Sequence, residues 1–392
     1  MTSLAFLLAA LSLCVWIALT FFRGGFWLIR LFDDDLIAHP APAAWPRVVA
    51  VLPARNEAET IGRTIESLAQ QEYAGEFRIV VVDDHSEDGT GELARKAAES
   101  AGAAERMTVL AAAPLQTGWT GKLWALQQGV ERASTVSPEY LWLTDADIVH
   151  APDTLSRLVS RAEIERLDLT SLMVLLQAKS FPEKLLIPPF LYFFLKLYPP
   201  AWIASGKSRT AGAAGGCVLL RSSVLGRIGG IASIRQEVID DCALARAVKH
   251  SGGRLWMGLT RKSVSLRKYE TFGEIRDLVA RTAYTQLHYS AVLLLGTVIG
   301  MLLTYIVPVV LAFHGQPLVW RVSLAAWVLM IITYLPTVRF YGGSPLWAPL
   351  LPLSAAFYSY ATVLSAVRYW LGRGGQWKGR AQAGEEVLSR KL

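Results

Sequence analysis

The residues whose types and spacing suggest chemistry are acidic. Asp145 and Asp147 stand i, i+2 at the end of the apolar run Tyr140–Leu143, within YLWLTDADIVH. That run is short and rich in β-formers, so it reads as a buried strand that gives way to a loop at the two carboxylates. Paired hard oxygens at a strand's carboxyl end suit Mg²⁺ or Mn²⁺ shared with a substrate phosphate. Two solvated turn aspartates would look the same in isolation. A second acidic group, Asp83-Asp84-His85-Ser86-Glu87-Asp88-Gly89-Thr90, follows the strand-like Phe77–Val82. A third, Asp240 and Asp241, opens a helix-like segment, Asp240–His250, stopped by Gly252-Gly253, where carboxylates ordinarily complement the helix dipole. His85 and His150 read as polar turn histidines rather than ligands.

The elements that must position these groups alternate. Val48–Leu52 reads as a buried strand, PARNEAET as a turn, and Ala58–Gln71 as a helix with Ile61, Ile65 and Leu68 on one face. After Phe77–Val82 come a helix over Glu92–Ala101, a strand over Met107–Ala111 and a helix over Gly121–Arg132, before the run at Tyr140. This alternation predicts an α/β fold with a mostly parallel, doubly wound sheet, its acidic strand ends facing one crevice. Thr210–Gly230 reads as a glycine-rich loop, a short strand and a helix begun by Ser222 or Ser223.

The rest is too apolar for an ordinary soluble protein. Of 392 residues, 53% are hydrophobic and 18% charged, and the mean hydropathy is +0.34. Part of the chain must therefore meet lipid. The net charge of +7 is dispersed and partly flanks apolar spans, which argues for anionic headgroups and against nucleic acid. Cys14, Cys217 and Cys242 form no pair or framework, so neither a zinc site nor a disulfide scaffold is indicated.

Leu4–Phe22 is uncharged and long enough to span. Arg23 and Arg30 come directly after it, so the bias of basic residues places the chain beyond this span in the cytoplasm. The expected organisation is an N-terminal transmembrane anchor over 1–24, a linker over 25–46 with Asp33–Asp35, Pro40, Pro42 and Pro46, a catalytic domain over 47–288, a C-terminal transmembrane region over 289–371 and a basic tail over 372–392. Within the catalytic domain, 181–203 is an apolar insertion broken by Pro188-Pro189 and Pro199-Pro200. It is expected to lie at headgroup level with Tyr192, Tyr198 and Trp202 as anchors, unless it is a core helix pair. Phe272–Tyr289 is a second amphipathic candidate. Tyr289–Phe313, Val322–Val338 and Phe340–Val367 are uncharged, the last with a proline- and glycine-rich start. The basic residues after them predict an even number of crossings.

PARNE at Pro53–Glu57, VVVDDHSEDGT at Val80–Thr90, Gly121-Lys122 with Ala125-Leu126, TDAD at Thr144–Asp147 and IDDCALA at Ile239–Ala245 together resemble family 2 glycosyltransferases of the GT-A fold. The resemblance covers roughly 47–284, and the whole layout is most similar to bacterial hopene-associated glycosyltransferases. It implies that Pro53, Arg55, Asn56, Glu57 and Asp84 meet the nucleoside, that Lys122 pairs with a donor phosphate, that Asp147 and Asp145 hold Mg²⁺ or Mn²⁺, and that Asp241, beside Asp240, is the catalytic base. Processive members carry Gln-x-x-Arg-Trp near a position where this chain has Arg281-Thr-Ala-Tyr284. Arg281 remains a candidate for the diphosphate, but polymer threading is not indicated.

The expected protein is thus an inverting glycosyltransferase of the bacterial inner membrane, with its catalytic domain in the cytoplasm. It would use a nucleotide-sugar donor, in the first place a UDP-sugar, and a lipid acceptor, with a hopanoid as one candidate. A nucleotidyltransferase of related fold would leave Asp240-Asp241 without a task, and a non-catalytic membrane scaffold would not need the acidic positions intact.

Overall fold

The computed structural model describes residues 2–30, 41–372, 376–377 and 380–381. Asp33–Asp35 and Pro40 of the expected linker, and most of the basic tail, lie outside the described residues. The chain divides into two units. One, the α/β unit, takes Leu31–Gln177, Trp202–Arg267 and Gly375–Leu392; the other, a helical unit, takes Met1–Arg30, Ala178–Ala201 and Lys268–Gly374. The expected catalytic domain over 47–288 therefore gives up 178–201 and 268–288 to the apolar helices.

The α/β unit is built on an eight-stranded sheet: β1 Val48–Ala54, β2 Phe77–Asp83, β3 Met107–Ala111, β4 Tyr140–Thr144, β5 Ile148–His150, β6 Leu169–Leu175, β7 Cys217–Arg221 and β8 Leu255–Ser265, in the order β3-β2-β1-β4-β7-β6-β8-β5. All seven residues of β1 are buried, as a central strand covered on both faces requires. β3, β2, β1 and β4 are parallel. β7 runs antiparallel to both β4 and β6, β8 is parallel to β6, and β5 is antiparallel to β8. The sheet is therefore mixed rather than mostly parallel. Its departure begins where β7 enters beside β4 in the opposite sense, Cys217 facing Thr144 and Arg221 facing Tyr140.

The sheet is also curled, because β4 and β5 stand four places apart in the order yet only Asp145, Ala146 and Asp147 separate them. Four flat strand spacings come to about 19 Å. The four residue steps from Thr144 to Ile148 reach at most about 14 Å.

Helices α1 Ile61–Ala69, α2 Thr90–Ser100, α3 Gly121–Ser134, α4 Thr154–Ile164, α5 Ser222–Ile228 and α6 Asp240–His250 complete this unit. α3 approaches the sheet so closely at Gly129 that a Cβ there would lie 2.4 Å from Val51 Cγ1.

In the helical unit, Ser3–Phe22, Ala291–Leu311, Pro317–Phe340 and Pro345–Trp370 are long and apolar enough to cross a membrane. Three are C-terminal, where an even number of crossings is expected. The last begins in a 3₁₀ segment, Pro345–Leu350, where its prolines suggest a loop or re-entrant stretch.

Phe181–Leu197 is one helix, opened by a capping box of Ser180 and Glu183, and it runs on through Pro188-Pro189. Proline at 189 removes the donor that Leu185 O would otherwise meet. Ser354 Oγ donates to that carbonyl instead, at 2.8 Å, and Tyr358 Oη donates to Leu186 O at 2.8 Å. The same device recurs at Pro308, beside the π-helical Leu302–Ile306. There Trp16 Nε1 donates to Thr304 O at 2.7 Å. Tyr192 is fully buried and its hydroxyl bonds Thr333 Oγ1 at 2.9 Å, so it is a packing residue and not a headgroup anchor.

Candidate functional site

The parallel register sets Ala54 beside Asp83 and Val51 beside Leu143, so the turns after β1, β2 and β4 open on one edge of the sheet. Backbone and side chains lace the first two turns together. Asn56, at φ 50°, donates its N–H to Ser86 Oγ and accepts from Glu87 N through Oδ1, each at 3.0 Å. Glu57 N donates to Thr90 Oγ1 at 2.8 Å and Ala58 N to Asp88 Oδ2 at 3.0 Å. Arg55 Nη1 donates to Asp84 O at 2.5 Å. Asp84 is fully buried, with His85 Nδ1 3.1 Å from its Oδ1. Its neighbour Asp83 accepts from Ser86 N through Oδ1 at 3.0 Å.

The turn after β4 is held from two sides. Ala146 O accepts from Thr60 Oγ1 at 3.2 Å and from Thr64 Oγ1 at 3.0 Å. From the end of β8, Leu266 N donates to Asp147 O at 2.7 Å and Ser265 Oγ to Asp147 Oδ2 at 3.0 Å. Arg267 places Nε 3.6 Å from Asp147 Oδ2 and donates from Nη2 to Glu57 Oε1 at 2.9 Å. Sequence reasoning missed Ser265 and Arg267, since no spacing links them to Asp147 and the strand before Arg267 is itself not legible. Burial and the charge of Asp145 raise the Asp147 carboxyl above its ordinary range, with Arg267 opposing.

Lys122 opens α3 and places Nζ 3.0 Å from Asp145 Oδ1 and 3.0 Å from Asp240 Oδ2. Burial works against its charge, but Asp145 and Asp240 outweigh that and hold the ammonium above its ordinary range. Asp241 Oδ2 accepts from Gly215 N at 2.8 Å and Oδ1 from Cys242 N at 2.7 Å. Burial, then the charge of Asp240, pushes its carboxyl up to about 6 against Lys122 and these two N–H donors. A Cβ on Gly215 would stand 3.3 Å from Asp241 Oδ2, so the glycine lets the loop backbone approach the carboxylate.

Pro53, Lys122, Asp145, Gly215, Asp240 and Asp241 line one cavity. Arg281 is not among these residues; it caps Phe272–Ala280 in the helical unit. His150 is not a turn residue. It is buried in β5, with Nε2 2.9 Å from Thr144 Oγ1 and Nδ1 2.8 Å from Ser263 Oγ.

Among the described residues no three His, Cys, Asp or Glu side chains converge as a ready metal cage. The donor set does fit a divalent cation held by two carboxylates with its other positions left to phosphate. After burial, the charge of Asp145 is the next cause that raises Asp147, a repulsion that a bound cation would relieve.

Residues 49–229 match the model of Glycosyl transferase family 2. The match takes in Pro53–Glu57, Asp84, Lys122, Asp145, Asp147 and Gly215, and ends before Asp240 and Asp241. Over 128 residues, 32% of this chain, the sequence is 30% identical to an N-acetylglucosaminyltransferase of Rhizobium leguminosarum bv. viciae, covering 27% of that protein. Over 122 residues, 31% of this chain, it is 31% identical to an uncharacterized protein of Methanocaldococcus jannaschii, covering 44% of it. The chain thus spans less than half the length of either relative. A mannosyltransferase of Pyrobaculum calidifontis, solved with GDP-Man and Mn²⁺, superimposes with a TM-score of 0.58 at 18% identity, covering 93% of this chain and 99% of that one. That likeness shows the fold.

Proposed function

We propose that the protein is a membrane-bound, inverting glycosyltransferase that moves a sugar from a nucleoside-diphosphate sugar, in the first place a UDP-sugar, to a hydroxyl of a membrane lipid. The observation that carries the reading is the shared cavity of Lys122, Asp145, Asp240 and Asp241, the first two of which lie within the 49–229 match to the family model. Asp241 takes the proton of the acceptor hydroxyl as its oxygen attacks the anomeric carbon. The bond from that carbon to the diphosphate breaks on the opposite face, which inverts the configuration. Asp84, with Pro53, Arg55, Asn56 and Glu57, forms the nucleoside end of the site. Asp145 and Asp147 would hold Mg²⁺ or Mn²⁺, which supplies charge neutralisation to the departing diphosphate. Lys122 moves from its carboxylate partners toward the phosphates as the donor enters, and Arg281 is a further diphosphate candidate on resemblance alone. No second carboxylate is needed as a general acid, since the leaving group departs as the nucleoside diphosphate.

The four helices long and apolar enough to cross a membrane support membrane residence, and Arg23 and Arg30 after the first of them favour the cytoplasmic side of a bacterial inner membrane for the catalytic unit. An enzyme fed by a soluble donor gains from such helices when its acceptor is a lipid, and the resemblance makes a hopanoid the first acceptor to try. Purified protein in nanodiscs, given radiolabelled nucleotide sugars and total bacterial lipid, should place label in one discrete organic-extractable species. Label in a long water-soluble polymer, or only in soluble sugar acceptors, would overturn the lipid assignment.

A further inference from the structure

A cavity of about 340 Å³ lies within the helical unit and shares no residue with the site in the α/β unit. Lys184, Pro188, Val338, Tyr341, Ser344 and Trp347 are among its lining, and Lys184 supplies the only charge. The adjacent carboxylate does not neutralise it: Glu183 is buried and accepts from Lys179 N, Ser180 N and Tyr269 N at 2.8–2.9 Å. Among the described residues Lys184 has no ion-pair partner and the Tyr341 hydroxyl has no hydrogen-bond partner. Ser344 Oγ accepts from Leu346 N, which leaves its proton to donate.

The cavity thus offers one cation and two hydroxyls beside proline, valine and indole surfaces. That combination suits an amphiphile with an anionic head better than a free anion. Its place in the chain agrees. Pro317–Phe340 ends at Tyr341 with Arg339 in its last turn, and Pro345–Trp370 begins after the turn 341–344. Basic pockets where apolar helices end are where phosphate-bearing headgroups are held.

We infer that this cavity binds the phosphate headgroup of an anionic membrane phospholipid through Lys184, Tyr341 and Ser344, with the start of an acyl chain against Pro188, Val338 and Trp347. The inference rests on the reading of the helical unit as membrane-embedded, but not on the identity of the acceptor.

The test is native mass spectrometry of the full-length protein in detergent, titrated with phosphatidylglycerol or phosphatidylcholine, with and without excess inorganic phosphate. The wild type should retain phosphatidylglycerol in preference to phosphatidylcholine. Lys184→Gln should weaken that binding about fivefold, the contribution of one lysine near an anionic lipid. Ala178→Trp, which fills the cavity and keeps the charge, should weaken it as well. Equal phosphatidylglycerol binding by wild type and both variants would overturn the site. Displacement by inorganic phosphate at matched concentration would overturn the lipid as its source. Sugar transfer measured on the same samples separates the two proposals: lost lipid binding with intact transfer, or the reverse, assigns the failure to one of them.

Discussion

Lys122 Nζ stands 3.0 Å from Asp240 Oδ2 while keeping an equal distance to Asp145 Oδ1, so one ammonium ties the end of β4 to the start of α6. Removing it leaves carboxylates facing one another across the cavity. Lys122→Met should therefore weaken nucleoside-diphosphate binding and lower stability by about 3 kcal/mol, the low end for breaking a buried pair, because the site is partly solvated. Calorimetry with UDP and Mn²⁺, and a denaturation midpoint, measure the two effects.

Asp241 must be ionised to accept a proton, and its carboxyl is pushed up to about 6. Transfer should rise about tenfold per pH unit below that point and level off above it. Lys122 lowers this value, so in Lys122→Met the rising limb should move to higher pH. Asp241→Asn should keep donor affinity and lose about 10²–10⁴-fold in rate. A dead Asp240→Asn beside an active Asp241→Asn would transfer the role to Asp240.

Asp147→Asn replaces an anionic oxygen with an amide at the proposed cation site. UDP should then bind equally with and without Mn²⁺, in contrast to the wild type. Unchanged Mn²⁺ dependence would remove Asp147 from the metal site.

His150 is held neutral. Burial lowers its pKa from 6.5 to about 3, and both ring nitrogens are bonded in place. The unfolded chain takes up the proton near 6.5 and the folded one does not. Its stabilising contribution is therefore complete above that pH and is lost as pH falls toward 3. Melting midpoints recorded across this range should fall more steeply in the wild type than in His150→Gln.

Ser354→Ala should leave Leu185 O without the donor that replaces the missing proline N–H. One buried unpaired carbonyl costs about 1–3 kcal/mol, which sets the expected loss. Ser359→Ala serves as control, because its hydroxyl only back-bonds Ala355 O within the same helix. Thermal unfolding in detergent compares the two.

Much of the parallel half was legible. β3 matches the reading at both ends and β1, β2 and β4 extend it by one or two residues, because buried runs of β-branched and aliphatic residues bounded by polar turns have few other readings. α6 was bounded at Asp240 and His250 by its acidic start and the glycines beyond it. β5 was not legible, since three residues carry no period, and His150 was misread with it. β6 and β8 went unnoticed; β8 carries Gly258, Arg261 and Lys262 inside it, which interrupt a strand pattern. Pro188-Pro189 looked like a break, and only the Ser354 hydroxyl, which serves Leu185 O from 169 positions away, shows how one of the lost donors is replaced.

The span from Asp145 to Asp147 is also the strap that draws the middle of the sheet to its edge. Its shortness sets the curvature, and the curvature brings Ser265, the last residue of β8, and Arg267 just beyond it against Asp147. The proposed ligand groups and the closure of the sheet are therefore a single piece of chain. An added residue there would not merely displace a carboxylate; it would slacken the tether and let the far edge drift from the first strand-to-helix turn, dismantling the cradle and the bend together. Variation in what the proposed site accepts must be accommodated elsewhere, in loops such as Thr210–Gly216 that enter it without holding the sheet in shape.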